Sequence, residues 1–148
     1  MIELPDVNVL IALFDLKHIH HEKAQAWFAS VSQGWATCPI TENGFLRIVS
    51  NPGYAGLYLS VVELASGLRT LIAVAPENHY FLSDDVSLSD RSRFDLSKVR
   101  GYRQLTDLCL LGLCQKHKAT LVTFDGGIQS TIQATVTPRS NLVRLLVP

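Results

Sequence analysis

The sequence predicts an α/β fold: a mostly parallel central sheet with helices on both faces. Two observations carry this. Short apolar runs of strand length alternate along the chain with stretches whose apolar residues recur at helical spacing, the pattern of a parallel sheet covered on both sides. The chain has 148 residues, of which 47% are apolar and 18% charged, and no repeat, low-complexity tract or linker divides it. That length predicts a single domain over 1–148, able to bury roughly 70% of its unfolded surface without disulfides or metals as staples.

The elements follow in order. "MIELPD" reads as a short strand ending at Asp6, and residues 8–14 as a short helix. From His21, the residues Ala24, Trp27, Phe28 and Val31 recur at i, i+3, i+4 and i+7, one face of a helix. "WATCPI" reads as a buried strand closed by Pro39. Phe45, Ile48 and Val49 mark a third helix that ends at "NPG". Val61, Leu64, Ala65, Leu68 and Leu71 form a fourth helical stripe. Residues 76–104 are polar apart from Tyr80, Phe81 and Leu82, and predict a brief strand followed by a long surface segment. Residues 105–117 read as a strongly apolar helix, "ATLVTFD" as a strand entering the turn "DGG", and "NLVRLLV" as a final strand.

Formal net charge is zero, with 13 basic and 13 acidic side chains, which argues against broad non-specific binding to a nucleic-acid duplex. Cys38, Cys109 and Cys114 are odd in number and contain no C-x-x-C, which fits thiols used as core residues in a reducing compartment. The N-terminus carries Glu3 and Asp6 where a signal peptide is basic and then apolar, and no apolar run is long enough for a membrane span. The expectation is a cytoplasmic protein. Its apolar content leaves room for an oligomer or a protein partner.

Asp6 and Asn8 stand inside the apolar stretch "LPDVNVLIALF", where an unpaired carboxylate costs several kcal/mol or more to bury. Ligands of a parallel sheet sit beyond the carboxyl ends of its strands, and four acids fall there. Asp6 ends the first strand, Asp125 ends "TLVTF", Glu42 opens the helix after "WATCPI", and Asp107 lies in the first turn of the 105–117 helix. Each has an ordinary alternative. Asp6 is also a helix N-cap candidate, Asp125 a turn residue before two glycines, and Glu42 and Asp107 first-turn acids favoured by the helix dipole. Together, four carboxylates at one edge repel one another and raise one another's proton affinity. A divalent cation removes that penalty, and oxygen-only donors suit Mg²⁺ or Mn²⁺ rather than zinc. One such ion activates water; two, about 3.5–4 Å apart, clamp a phosphodiester in line.

The segments "LPDVNVLIALF", "HIHHEKAQAWF", "CPITENGFLRIVSNP" and "YRQLTDLCLLGLCQKHKATLVTFDGGI" resemble PIN-domain ribonucleases, specifically VapC-type toxins of bacterial toxin–antitoxin pairs. The resemblance runs in order over nearly the whole chain and is weakest across residues 55–100. It implies a PIN-like three-layer sandwich and Mg²⁺-dependent hydrolysis of single-stranded or structured RNA by metal-activated water, restrained by a cognate antitoxin protein. The family's acidic quartet falls on Asp6, Glu42, Asp107 and Asp125. Asp6, Asp107 and Glu42 would hold the principal ion, and Asp125 would complete that site or hold a second. Asn8 matches a polar position beside the first acid and Thr123 a hydroxyl near the last, while Thr106 is a cap candidate orienting Asp107. The resemblance also favours a homodimer, with the Val61–Leu71 stripe as one candidate face.

Arg103, Arg100 and Arg93 precede Asp107 and are candidates for gripping RNA phosphates, with Tyr102 a candidate for stacking on a base. Asp84, Asp85, Asp90 and Asp95 in the same segment equally fit a solvated loop. "HIHH" at 18–21 reads better as a loop than as a metal cluster, and Trp27 and Phe28 as core. Two other readings compete with the ribonuclease. One is a non-catalytic RNA- or protein-binding module on the same fold. The other is an aspartyl-nucleophile phosphatase, disfavoured because Asn8 stands where that chemistry wants a second acid.

Overall fold

The computed structural model describes residues 1–146. Five strands, β1 (Glu3–Pro5), β2 (Trp35–Thr37), β3 (His79–Phe81), β4 (Thr120–Thr123) and β5 (Val143–Leu145), form one sheet in the order β3-β2-β1-β4-β5. Every pairing is parallel; Leu4 lies opposite Leu121 and Ala36 opposite Tyr80. The helices are α1 (Val7–Phe14), α2 (His21–Ser30), α3 (Pro39–Val49), α4 (Val61–Ala73), α5 (Leu105–His117) and α6 (Ile128–Ile132). This is the α/β architecture the alternating pattern predicts.

A parallel sheet must be covered on both faces, and the strands divide their side chains accordingly. Trp35 and Val122 point into a core with Leu10, Trp27, Phe45 and Leu64 from α1 to α4. Their neighbours Ala36 and Leu121 point into the opposite core, with Leu110, Leu113 and Cys114 of α5 and Ile128 of α6. The period of two along each strand is what separates the layers. Trp27 is buried, as its helical stripe predicts, and the stripe on α4 turns Leu64 and Leu68 inward while Val61 and Val62 stay exposed. All three cysteines are free, and Cys38 and Cys114 are buried.

Several boundaries differ from the sequence reading. Pro39 does not close a strand: β2 stops at Thr37 and Pro39 opens α3, where its missing N–H has no helical partner to lose. The brief strand lies at 79–81, and Leu82 enters the core just beyond it. α6 was not expected, because only Ile128 and Thr131 of its five residues are buried and no periodicity shows. Val147, the end of the expected last strand, lies outside the described residues.

The polar segment is more anchored than its composition implies. Phe94 is buried with Leu108 and Ala134, and it bridges Thr135 in antiparallel pairing. Gly112 makes room for it, since a methyl group there would overlap the Phe94 ring. Three short 3₁₀ turns, Pro76–Asn78, Leu96–Lys98 and Tyr102–Gln104, interrupt the segment, and the last runs directly into α5. Among the described residues, no helix is long and apolar enough to cross a membrane.

Candidate active site

β1 and β4 are adjacent and parallel, so the residues just past their carboxyl ends meet. Asp6 is the first of them. It caps α1, its Oδ1 accepting the Val9 N–H at 2.8 Å. Its Oδ2 accepts the Thr123 hydroxyl, which comes from the end of β4. The cap reading of Asp6 therefore holds, and it does not exhaust the residue. Asp6 is 6% exposed, and burial pushes its carboxyl above the ordinary carboxylate range. The Thr123 hydroxyl and the backbone amides of Val9 and Asn8 pull it back, while the Asp125 charge pushes it further up.

Asp107, half-buried in the first turn of α5, is pushed up to about 6. Desolvation is the largest cause, followed by the charges of Asp6 and Asp125. Asp125 is exposed and serves the turn that its two glycines predict: its Oδ1 accepts the Gly127 N–H at 2.7 Å. Its own N–H donates to Thr123 Oγ1 at 3.0 Å, so one hydroxyl ties together the two strand-end acids. Asp6, Asp107 and Asp125 thus form one electrostatic unit although 101 and 18 residues separate them in order.

Asp6 and Asp107 line a cleft of about 640 Å³, together with Asn8 and Thr106. Two polar residues there were not singled out from the sequence, Asn43 and Arg47 on α3, and Asp84 after β3, read from the sequence as an acid of a solvated loop, lines the cleft as well. The spacing of Asn43 and Arg47, i and i+4 on one helix, was the available signal. The wall they form requires Gly44, because a Cβ there would lie 2.5 Å from Val7 Cγ2 and force α3 away from α1.

Glu42 has a partner of its own, and the capping role expected of Thr106 is corrected. Glu42 does not line the cleft: Thr37 donates its hydroxyl to Glu42 Oε1 at 2.6 Å, and the same hydroxyl lies 3.0 Å from His79 Nε2. Its neighbours Ile40, Asn43, Gly44 and Arg47 hold the cleft face of α3, and the helical phase turns Glu42 toward the end of β2. Thr106 does not cap α5, since the preceding 3₁₀ turn carries the chain into the helix and Gln104 occupies the cap position. Gln104 instead donates to Ser130 Oγ and Thr131 Oγ1 at 2.9 and 3.1 Å, fastening the start of α5 to α6.

The remaining candidates lie outside the cleft lining. Arg100 and Arg103 are exposed, Arg103 lying 5.8 Å from the Tyr102 ring centroid, and Arg93 pairs with Asp90 at 3.9 Å. His18, His20 and His21 make local structural contacts. His20 stacks on Phe124 at 4.5 Å, His21 Nδ1 lies 2.8 Å from the Ala12 carbonyl, and His18 Nδ1 accepts the His20 N–H at 3.1 Å.

Among the described residues, no three His, Cys, Asp or Glu side chains gather closely enough to hold a metal ion by themselves. Mg²⁺ does not ask for that: it is usually bound through one or two carboxylates, with waters and substrate phosphate filling the rest. Asp6 and Asp107 supply two hard oxygen donors on one cleft, and their raised proton affinity marks a place where positive charge is wanted. The donor set fits a hard divalent cation.

The chain belongs to the PIN-domain family and, within it, to the VapC ribonucleases; the PIN domain matches residues 4–132. It is 45% identical to Ribonuclease VapC38 of Mycobacterium tuberculosis over 88% of this chain and 89% of that one. It is 41% identical to Ribonuclease VapC44 of the same organism, over 86% of this chain and 89% of that one. Among solved structures, M. tuberculosis VapC20, a Sarcin-Ricin loop cleaving toxin, superposes with a TM-score of 0.60 over 86% of this chain and 93% of its own. At 13% identity that likeness speaks for the fold alone.

Proposed function

We propose that the protein is a Mg²⁺-dependent endoribonuclease, the toxin of a toxin–antitoxin pair, cutting phosphodiester bonds in single-stranded or structured RNA. The observation that carries this is the electrostatic unit of Asp6, Asp107 and Asp125 at the carboxyl edge of the sheet, with Asp107 pushed up to about 6. Two acids raised by burial and by neighbouring negative charge, with the Asp125 carboxylate beside them, are a poor arrangement for a free protein and a good one for a cation. Its membership of a family whose relatives are named ribonucleases supports the substrate class.

In this reading Asp6 and Asp107 hold the cation, and Asp125 lends a third charge from the rim. Mn²⁺ would substitute. When bound, the cation supplies charge neutralisation at the phosphate and activation of the attacking water. The chain supplies the placement. Thr123 and the first amides of α1 fix Asp6 in one rotamer, and α5, fastened to α6 by Gln104, fixes Asp107 opposite it. Asn8 and Asn43 offer amides to water or phosphate oxygens within the cleft. A cognate antitoxin would restrain the activity, and pairing of two copies fits the chain's 47% apolar content.

The test is incubation of the purified protein with RNA in Mg²⁺, with EDTA and with Asp107→Asn in parallel. Cleavage by the wild type alone, lost in both controls, is expected. RNA bound but uncut in Mg²⁺ would establish the second reading, a binding module on the same fold. Glu42's withdrawal to Thr37 is the observation that favours that alternative.

A further inference from the structure

The cleft does not end at its carboxylates. Arg47 and Ile48, in the last turn of α3, line both the 640 Å³ cleft and an adjoining cavity of about 370 Å³. The other walls of that cavity are Asn51, Gly53 and Tyr54. One basic residue therefore lines both cavities. Among the described residues that line the cleft it is the only cation, and among the described residues it makes no ion pair. A planar donor fork without an acceptor, beside a site that handles phosphodiesters, is matched in geometry and charge by a phosphate group.

The second cavity has a different chemistry. No carboxylate lines it. Tyr54 is half-buried and held from behind, its hydroxyl donating to Oδ2 of the buried Asp15 at 2.7 Å. Asn51 Oδ1 accepts the Gly53 N–H at 2.8 Å, which fixes the amide plane. An aromatic ring, an aliphatic side chain and one oriented amide line an open depression of about 370 Å³. That combination suits an unstacked nucleobase, which is recognised by stacking and by hydrogen bonds to its edge.

We propose that the two cavities form one track for single-stranded RNA. Arg47 grips the phosphate adjacent to the scissile one, and the cavity beyond receives the attached base between Ile48 and Tyr54, with Asn51 at its edge. The inference rests on the ribonuclease reading of the cleft and adds to it a nucleotide subsite.

The experiment measures binding and turnover separately. A fluorescein-labelled single-stranded RNA is titrated in EDTA, where removal of the divalent cation prevents cutting, across a salt series. Cleavable RNA is followed in Mg²⁺. Arg47→Ala is expected to weaken binding about tenfold and to reduce the slope of log K against log[salt] by about 0.7, the release of one counterion from a single strand. It should raise KM with little change in kcat. Arg47→Lys should keep the slope while losing part of the affinity, and Asn51→Ala should change base preference at one position while leaving the slope intact. Arg69→Ala on α4, which lines neither cavity, controls for lost charge. An Arg47→Ala slope equal to the wild type's, or an equal loss in Arg69→Ala, overturns the proposal. Should the wild type bind through Arg47 but never cut, the ribonuclease reading fails and the subsite stands. If it cuts normally without Arg47, the subsite alone fails, and a wild type that binds no RNA removes both.

Discussion

The Thr123 hydroxyl donates to Asp6 Oδ2 across 117 residues of sequence, joining the end of β4 to the cap of α1. It is the contact that makes one site of two strand ends. The same oxygen accepts the Asp125 N–H, so a single hydroxyl sets the distance between two like charges.

Thr123→Val removes that donor and leaves a buried carboxylate oxygen unpaired, which costs about 1–3 kcal/mol. The Asp6 carboxyl, already raised by burial, should rise further. Expected are a lower Tm and a severalfold higher Mg²⁺ requirement for RNA cleavage, with Thr123→Ser restoring most of both. A valine variant as stable and as responsive to Mg²⁺ as wild type would show that the hydroxyl positions nothing.

Asp107→Asn should abolish RNA cleavage, by about a hundredfold or more, while leaving the fold at least as stable. The group is raised to about 6, and at about 1.4 kcal/mol per pK unit, discounted for its partial exposure, the gain in EDTA is ~1 kcal/mol. Thermal melts at pH 7.5 and a gel assay check the two halves. A variant that unfolds would mark Asp107 as a structural residue.

The pH dependence has a definite sign. Asp107's folded value, about 6, lies above its ordinary 3.8, so between these the native state holds a proton that the unfolded chain has released. Its contribution to stability is full below about pH 4 and is lost as pH rises through about 6. Asp6, raised chiefly by burial, acts in the same direction. Asp85, held below its ordinary value by hydrogen bonds from His117 and Lys116, acts oppositely but in a window below 3.8. In EDTA, the wild-type Tm should therefore fall between pH 4.5 and 7 relative to Asp107→Asn. Saturating Mg²⁺ should reverse the trend above pH 6, because binding to the native state alone stabilises it by about 2.7 kcal/mol at a hundred times Kd. Parallel curves for the two proteins would refute the assignment.

Glu42→Gln separates the sequence pattern from the geometry. With its carboxylate on Thr37 and outside the cleft, glutamine can keep the bond as an acceptor. Cleavage should fall by about tenfold at most, far less than for Asp107→Asn, and the melt should shift little. A loss as deep as that of Asp107→Asn would mean that Glu42 leaves Thr37 and enters the cleft when substrate and cation bind.

The sequence by itself determined the layers, the parallel sheet and the edge at which chemistry can occur. Apolar periodicity is local, and the end of a strand is visible wherever an acid follows an apolar run, as at Asp6 and Asp125. It also determined Asp107 as an anomaly, since an acid among Leu105, Leu108, Leu110 and Leu111 is partly desolvated wherever that helix packs. Tertiary structure alone decided which side chains turn into the cleft. Glu42 and Asn43 are neighbours in the chain, yet 100° of helical rotation sends one to Thr37 and the other to the site. The same holds for Phe94, hidden in a polar segment until Gly112 opened a place for it, and for Arg47, whose place in the lining of both cavities depends on α3 lying against α1 at Gly44. Direction and distance between elements far apart in the chain are set by packing, and a linear sequence does not display packing one residue at a time.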